Sequence, residues 1–468
     1  MDMKIFINRQ NELNTLEKEY NRAGASFVVV FGRRRVGKTE LISEFLRNRR
    51  ESVYFLATRE SEAQNLNSFK ELVADYTGNE LLKTADVSWE QVFKIFVSHK
   101  SGEKQIIVLD EFQYIGQSNA SFPSIMQKIW ENVLKNSNIM LIICGSLISL
   151  MDAQVLNENS PLYGRRTAQI KLKQVEFKYY GGFFDGTKTA DELLPFYAVT
   201  GGVPKYIEVF EKFGDIFKAI DESVLNKNSY LYEEPHFLLQ NEVSEIGSYF
   251  SIIKTIAAGN RKLADIASNL AVKQTGLTRY LKILADLDLV EREVPVTEAA
   301  PDRSKSGLYR IKDNFIAFWF KFVYPYYSYL ERGETAYVLE RIRTGFIQNY
   351  VSFIYEDVCK EKMWDINFAG AFGFRFNKIG SYWGSQTGQT DIVALDTVDK
   401  NIIVGECKYS ASEKGLDILH GLENKAHALK KITDSNEVRY VIFGKAGFTE
   451  GLKNEAAGRS DLVLVERL

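Results

Sequence analysis

Cysteine is scarce. The 468 residues contain three, Cys144, Cys359 and Cys407, far apart and with no CxxC pair. That spacing argues against a thiolate zinc site and fits a reducing compartment, so a cytoplasmic chain is expected. Net charge is nearly absent too, with 59 Lys and Arg against 61 Asp and Glu for a formal charge of −2. A polybasic binder is excluded by that balance, and any nucleic-acid contact must be local. Long apolar runs are also missing. The longest aromatic stretch, Phe315 to Leu330, is interrupted by Lys321 and Pro325. It falls short of the ~18 apolar residues that a membrane span needs, which predicts a buried helix at a domain junction and no membrane partner. The opening residues MDMKIFINRQ lack the apolar core of a signal peptide.

What is present is patterning for several domains, since one hydrophobic core stops growing near ~250–300 residues. Residues 27–31 (FVVVF), 106–109 (IIVL) and 139–143 (IMLII) are short and fully apolar, as strands buried on both faces of a parallel sheet must be. Segments Glu40–Arg50, Asn65–Ala74 and Pro123–Leu134 between them read as helices, which gives an α/β unit with right-handed crossovers. From about Asp191 to Glu245 the pattern is helical, broken at Gly201-Gly202-Val203-Pro204. Residues 252–294 carry three apolar helix patterns, then a strand at 289–294 and its return at 307–311. That order predicts a winged helix-turn-helix. A helix through Phe346–Lys360 and strands at Thr390–Leu395, Ile402–Lys408 and Val438–Phe443 predict a second α/β domain. The resulting boundaries are 1–188, 189–245, 246–314 and 315–468.

The first strand runs into Gly32-Arg33-Arg34-Arg35-Val36-Gly37-Lys38-Thr39, a match to GxxxxGK[ST] that opens a helix, where this P-loop motif belongs. Its glycines let backbone N–H groups wrap phosphates at a helix N-terminus. Lys38 is the point charge for the β/γ-phosphates of ATP, and Thr39, followed by Glu40, offers its hydroxyl to Mg²⁺. A magnesium site also needs a carboxylate, and hydrolysis needs a base. Asp110 and Glu111, at the end of the second apolar run, supply these in turn. Ser146, after Cys144-Gly145, is placed to sense the γ-phosphate or to cap a helix. Arg165 and Arg166 are candidates for an arginine finger, which accelerates hydrolysis by roughly 10³–10⁵, or are surface arginines.

INRQNEL at 7–13, GRRRVGKTEL at 32–41, LDEFQY at 109–114, CGS at 144–146, SPLYGRRT at 160–167 and TGGVPKY at 200–206 together resemble the archaeal-type ATPase family, a branch of the AAA+/STAND P-loop ATPases. The resemblance implies an AAA+-like parallel sheet with a helical lid. It also implies that Asn8, Arg9 and Glu12 lie near the pocket for the nucleotide base. STAND-like members of this branch often act as slow ATP switches.

In the expected winged helix, the recognition helix at about Gln274–Leu287 offers Lys273, Gln274, Thr275, Thr278, Arg279 and Lys282, while Asp286 and Asp288 weaken that face. DNA contact and a structural or protein-contacting role both remain open. Further on, Asp391 and Glu406-Cys407-Lys408 spell D…ExK on two successive strands. Paired strand carboxylates can hold a divalent ion that polarises a phosphodiester, with Lys408 on the same face as Glu406 and Glu356 completing the set. This looks like the PD-(D/E)xK, restriction-endonuclease-like fold, a resemblance strengthened by KDNFIAFWFKFV at 312–323, although Thr390 replaces the usual proline.

The expectation is therefore a multidomain α/β protein that binds and hydrolyses ATP and couples nucleotide state to DNA binding or metal-dependent cleavage. The rival is a STAND-like switch that recruits protein partners and carries an inactive nuclease-like domain. A partner protein or an oligomer is compatible with both.

Overall fold

The structure is a computed structural model that describes residues 6–99, 101–184, 186–384 and 388–468. The chain divides into two compact units. The first takes the described residues up to Val175 together with Val203–Tyr206 and Gln240–Ser244, and the second takes the rest.

The first unit is built on a five-stranded sheet formed by β1 (Ser26–Phe31), β2 (Ser52–Leu56), β3 (Gln105–Asp110), β4 (Ile139–Gly145) and β5 (Ala168–Lys171). Their order is β2-β3-β4-β1-β5, and every pairing is parallel. Because side chains alternate along a strand, the continuous apolar runs feed two cores at once. Phe27, Val29, Ile107, Leu109, Leu141 and Ile143 face one, which Phe69, Trp89 and Phe93 cover. Val28, Val30, Ile106, Val108 and Ile142 face the other, under Leu16, Leu41 and Phe45. Each such side chain contributes roughly 1.5–3 kcal/mol by leaving water, so the central strands are the most strongly specified part of the unit. Helices Glu62–Thr77 and Trp89–Ser98 begin in capping boxes, Ser61 with Gln64 and Ser88 with Gln91. Each box satisfies otherwise orphaned backbone donors and fixes where the chain turns back toward the sheet.

The second unit opens with a helical region. Helix Ala190–Thr200 starts at a Thr189–Glu192 capping box and stops at Gly201, whose φ of 60° marks the predicted break. Helices Ile246–Ala257, Leu263–Asn269 and Gln274–Asp286 follow, then the antiparallel pair β6 (Val290–Glu293) and β7 (Leu308–Ile311). The aromatic stretch after them is not one helix. It runs through a helical turn, a π turn, a 3₁₀ turn and another helical turn. Trp319 is fully buried there and donates from its indole to the Tyr232 carbonyl at 2.9 Å. Among the described residues no helix is long and apolar enough to cross a membrane.

Helix Ser352–Phe368 leads into a second sheet made of β8 (Lys378–Gly384), β9 (Gly388–Asp396), β10 (Asn401–Lys408), β11 (Val438–Gly444) and β12 (Leu462–Val465). Its order is β12-β11-β10-β9-β8, with β10, β11 and β12 parallel and β8, β9 and β10 antiparallel.

The loop joining β6 to β7, where a winged helix has its wing, packs against the second sheet. Val296 is buried in the core beneath the second sheet, and its N–H bonds to the Ser381 carbonyl at 3.0 Å. Lys378 donates to the Glu298 carbonyl and the Trp383 indole to that of Ser306. The loop therefore covers the edge strand β8, whose unpaired backbone groups need partners. Arg310 on β7 pairs with Glu291, Glu293 and Asp357, which ties this hairpin to helix Ser352–Phe368.

Candidate functional site

At the end of β1 the chain enters a loop that only particular residues can form. Gly32 has φ 152°, and a Cβ there would collide with the Leu172 carbonyl oxygen. Arg35 at φ 69° and Gly37 at φ 91° complete the turn, and helix Lys38–Leu46 starts immediately after it. The helix is four residues shorter at its C-terminus than the periodicity predicts, ending at Leu46 rather than Arg50. Lys38 is 7% exposed and folds back to donate to the carbonyls of Gly32 (2.8 Å) and Arg33 (3.0 Å). Burial lowers the pKa of its ammonium, against the pull of Glu111 and Asp110.

The flanking residues brace this loop. Arg9, reached through left-handed Asn8 and Arg9, donates to the carbonyls of Val36 (3.2 Å) and Lys173 (2.5 Å) and lies 3.5 Å from Glu12. Arg33 is buried and donates to the Tyr206 hydroxyl at 3.0 Å, while Arg34 donates to that of Tyr114 at 2.5 Å. Val36 is buried in the core, and Thr39 and Glu40 face outward.

The pairing of β3 with β4 brings the acidic pair alongside the loop. Asp110 is 3% exposed. One of its oxygens accepts the Glu111 N–H at 2.8 Å, and the other accepts the hydroxyls of Thr39 (3.5 Å) and Tyr54. Burial pushes this carboxyl up. Glu111 adopts φ 52° and accepts from the Ser146 hydroxyl at 2.7 Å and from the Gln113 amide. A hydroxyl and a buried carboxylate side by side fit Mg²⁺, which takes one or two protein oxygens and fills the rest of its octahedron with phosphate and water.

Three participants are given no role by any sequence motif. Tyr54 lies on β2, an alternating strand the apolar-run criterion passes over. Tyr206 lies in the TGGVPKY phrase, with no role assigned. Glu242, about 200 residues downstream of the P-loop, is near enough to Lys38 to oppose the fall in its pKa.

Arg165 and Arg166 are not brought to this site. Val28 pairs with Ala168 and Phe31 with Lys171, so the P-loop lies at the C-terminal edge of the sheet while both arginines precede β5 at the N-terminal edge. The six residues of β1 separate the two edges by roughly 20 Å. Arg165 is 3.2 Å from Glu131, and Arg166 donates to the Leu156 carbonyl. The structure therefore does not bring either arginine to this chain's own P-loop.

In the second sheet, antiparallel β9 and β10 bring Asp391 and Glu406 together. Asp391 accepts the Cys407 N–H at 3.0 Å, and burial with Glu406 beside it pushes its carboxyl up. Burial and Asp391 push Glu356 up to about 8. The three carboxylates are neighbours but not a metal cage: among the described residues no group of three or more His, Cys, Asp or Glu could hold a metal. Glu406 is instead clamped by two lysines, Lys408 at 2.6 Å on one oxygen and Lys425 at 3.0 Å on the other. Two cations satisfy the acceptor that the sequence reading assigns to a divalent ion.

A doubly covered parallel sheet whose first strand turns through a phosphate-binding loop, beside a strand-end Asp–Glu pair, defines a P-loop ATPase. The comparisons agree. The model of a family described as an ATPase domain predominantly from Archaea matches residues 6–210, and one described as archaeal and bacterial proteins of unknown function matches 319–418. An uncharacterised protein of Methanocaldococcus jannaschii is 34% identical over 443 residues, covering 94% of this chain and 96% of the relative. An uncharacterised ATP-binding protein of that organism is 24% identical over 308 residues, covering 54% of this chain and 85% of its own. Among solved structures, a Walker-type ATPase of Pyrococcus abyssi shares the fold at 19% identity and TM-score 0.52, over 68% of this chain and 96% of that one. The chain belongs to the family of ATP-binding P-loop ATPases found predominantly in Archaea.

Proposed function

We propose that this protein is an ATP-driven switch that hydrolyses ATP with Mg²⁺ and passes its nucleotide state to a nucleic-acid contact. The observation that carries the reading is the hydrogen bond from Ser146 to Glu111, next to an Asp110 that also accepts from Thr39. In this reading Lys38 and the loop amides hold the β/γ-phosphates, and Thr39 and Asp110 hold Mg²⁺. Glu111 accepts the proton of the attacking water while Ser146 fixes its orientation. The division into core (1–188), lid (189–245), winged helix (246–314) and nuclease-like domain (315–468) belongs to the same reading. Residues 273–282 would supply the DNA contact.

For the test, Lys38→Ala should lose nucleotide binding by calorimetry. Glu111→Gln should keep binding and slow steady-state turnover by roughly 10²–10⁴. Equal turnover in Glu111→Gln removes the base assignment.

A second reading, metal-dependent cleavage of DNA by the C-terminal domain, is favoured by the crowding of Glu356, Asp391 and Glu406 next to Lys408. It requires a divalent ion to displace the lysines from Glu406. Nicking of plasmid DNA with Mg²⁺ or Mn²⁺ that disappears in both Asp391→Ala and Lys408→Ala would support it. Nicking that persists in both would assign it to a contaminant.

A further inference from the structure

Segment Gln240–Ser244 packs as part of the ATPase unit, although its chain neighbours on both sides, Leu239 and Glu245, belong to the other unit. Its hydrogen bonds reach the segments that follow β2 and β4, at the end of the sheet where the P-loop lies. The Asn241 side chain accepts from Arg59, just after β2, at 2.9 Å. Arg59 lies over the Tyr114 ring beyond β3, at 5.1 Å from its centre, and Tyr114 in turn accepts from Arg34 of the P-loop. Ser149, three residues past Ser146, donates to both the backbone carbonyl (3.4 Å) and the carboxylate (3.5 Å) of Glu242.

Glu242 thus sets a carboxylate in the field of two P-loop cations, Lys38 and Arg34. It is half-buried there, and desolvation pushes its carboxyl up to about 7 even though those two cations oppose the shift. A bound triphosphate brings several negative charges to the same cations, and like charges in a poorly solvated crevice exclude one another. A diphosphate lacks the group that would extend furthest from the loop.

We propose that Glu242 is an internal counter-charge for the γ-phosphate position, holding segment Gln240–Ser244 on the crevice rim when the site is empty or carries ADP and releasing it when ATP enters. This regulation rests on the P-loop reading of the site. Because the segment is continuous in sequence with the other unit at both ends, its release is a direct covalent signal of nucleotide state.

The test uses the full chain and two probes, ADP and a non-hydrolysable ATP analogue, each titrated by calorimetry in magnesium buffer at pH 8.5, where Glu242 carries its charge. E242Q keeps a polar group for Ser149 and removes the charge. It should bind the ATP analogue about tenfold tighter than wild type and change ADP affinity by less than about threefold. S149A, which frees the anchor, should shift the analogue in the same direction by a smaller factor. Hydrogen exchange of the peptide spanning 240–244 should be faster with the analogue than with ADP in wild type, and equal in E242Q. Equal shifts for both nucleotides in E242Q, weaker analogue binding, or exchange that ignores nucleotide would overturn the counter-charge alone. Failure of the wild-type chain to take up either nucleotide would overturn the P-loop reading along with it.

Discussion

Glu356 is a residue whose charge the fold resists. Burial and the neighbouring Asp391 raise its carboxyl to about 8, well above the ordinary carboxylate range. A group raised in this way contributes stability that is fully present below its unfolded pKa and is lost as pH rises through its folded one. The relevant window is therefore pH ~4.5 to ~8. Glu356→Gln should melt with wild type at pH 4 and about 2–4 °C above it at pH 9 by scanning calorimetry, since only the wild type must then ionise a buried group. The same gap at both pH values would mean that the carboxyl is not perturbed. At this scale local motifs marked Gly32, Lys38, Thr39, Asp110 and Glu111, and the structure places them side by side. Tyr54 and Glu242 were not legible, since nothing local distinguishes a tyrosine or glutamate that faces a crevice from one that faces water.

Helix Gln274–Asp286 buries Leu277, Leu281 and Leu284 and leaves Lys273, Gln274, Thr275, Thr278, Arg279 and Lys282 exposed. Asp288, which sequence alone sets against a nucleic-acid face, is held by Lys312 at 2.8 Å. In the nucleic-acid reading proposed above, this exposed face carries the contact with the phosphate backbone. The double variant Arg279→Ala/Lys282→Ala should weaken DNA binding uniformly across sequences and flatten the slope of log K against log salt by about 1 to 2 units. An unchanged slope would remove the helix from the interface. Element legibility follows position in the sheets. Strands β1, β3, β4, β9, β10 and β11 were readable because strands flanked on both sides are buried on both faces. The four strands that the apolar-run criterion passes over, β2, β5, β8 and β12, are the edges of the two sheets, although β12 is the wholly apolar LVLV. Edge strands are half exposed and so mix polar residues into the pattern, as in AQIK of β5 and KIGSYWG of β8.

For the molecule as a whole, the residue order by itself determined that a P-loop domain precedes a helical region, a three-helix and hairpin segment, and a second α/β domain. Those features arise from local periodicity and from motifs whose parts are few residues apart. Tertiary structure alone decided what meets what. Arg165 and Arg166 fell at the wrong edge of the sheet, and Glu406 found Lys425 nineteen positions away on another element. The expected wing became the cover of an edge strand, and Gln240–Ser244 joined a unit it is distant from in sequence. The reason is physical. Charge pairing and edge protection depend on separations in space of a few ångströms, and only the packing of buried faces sets these between residues tens or hundreds of positions apart.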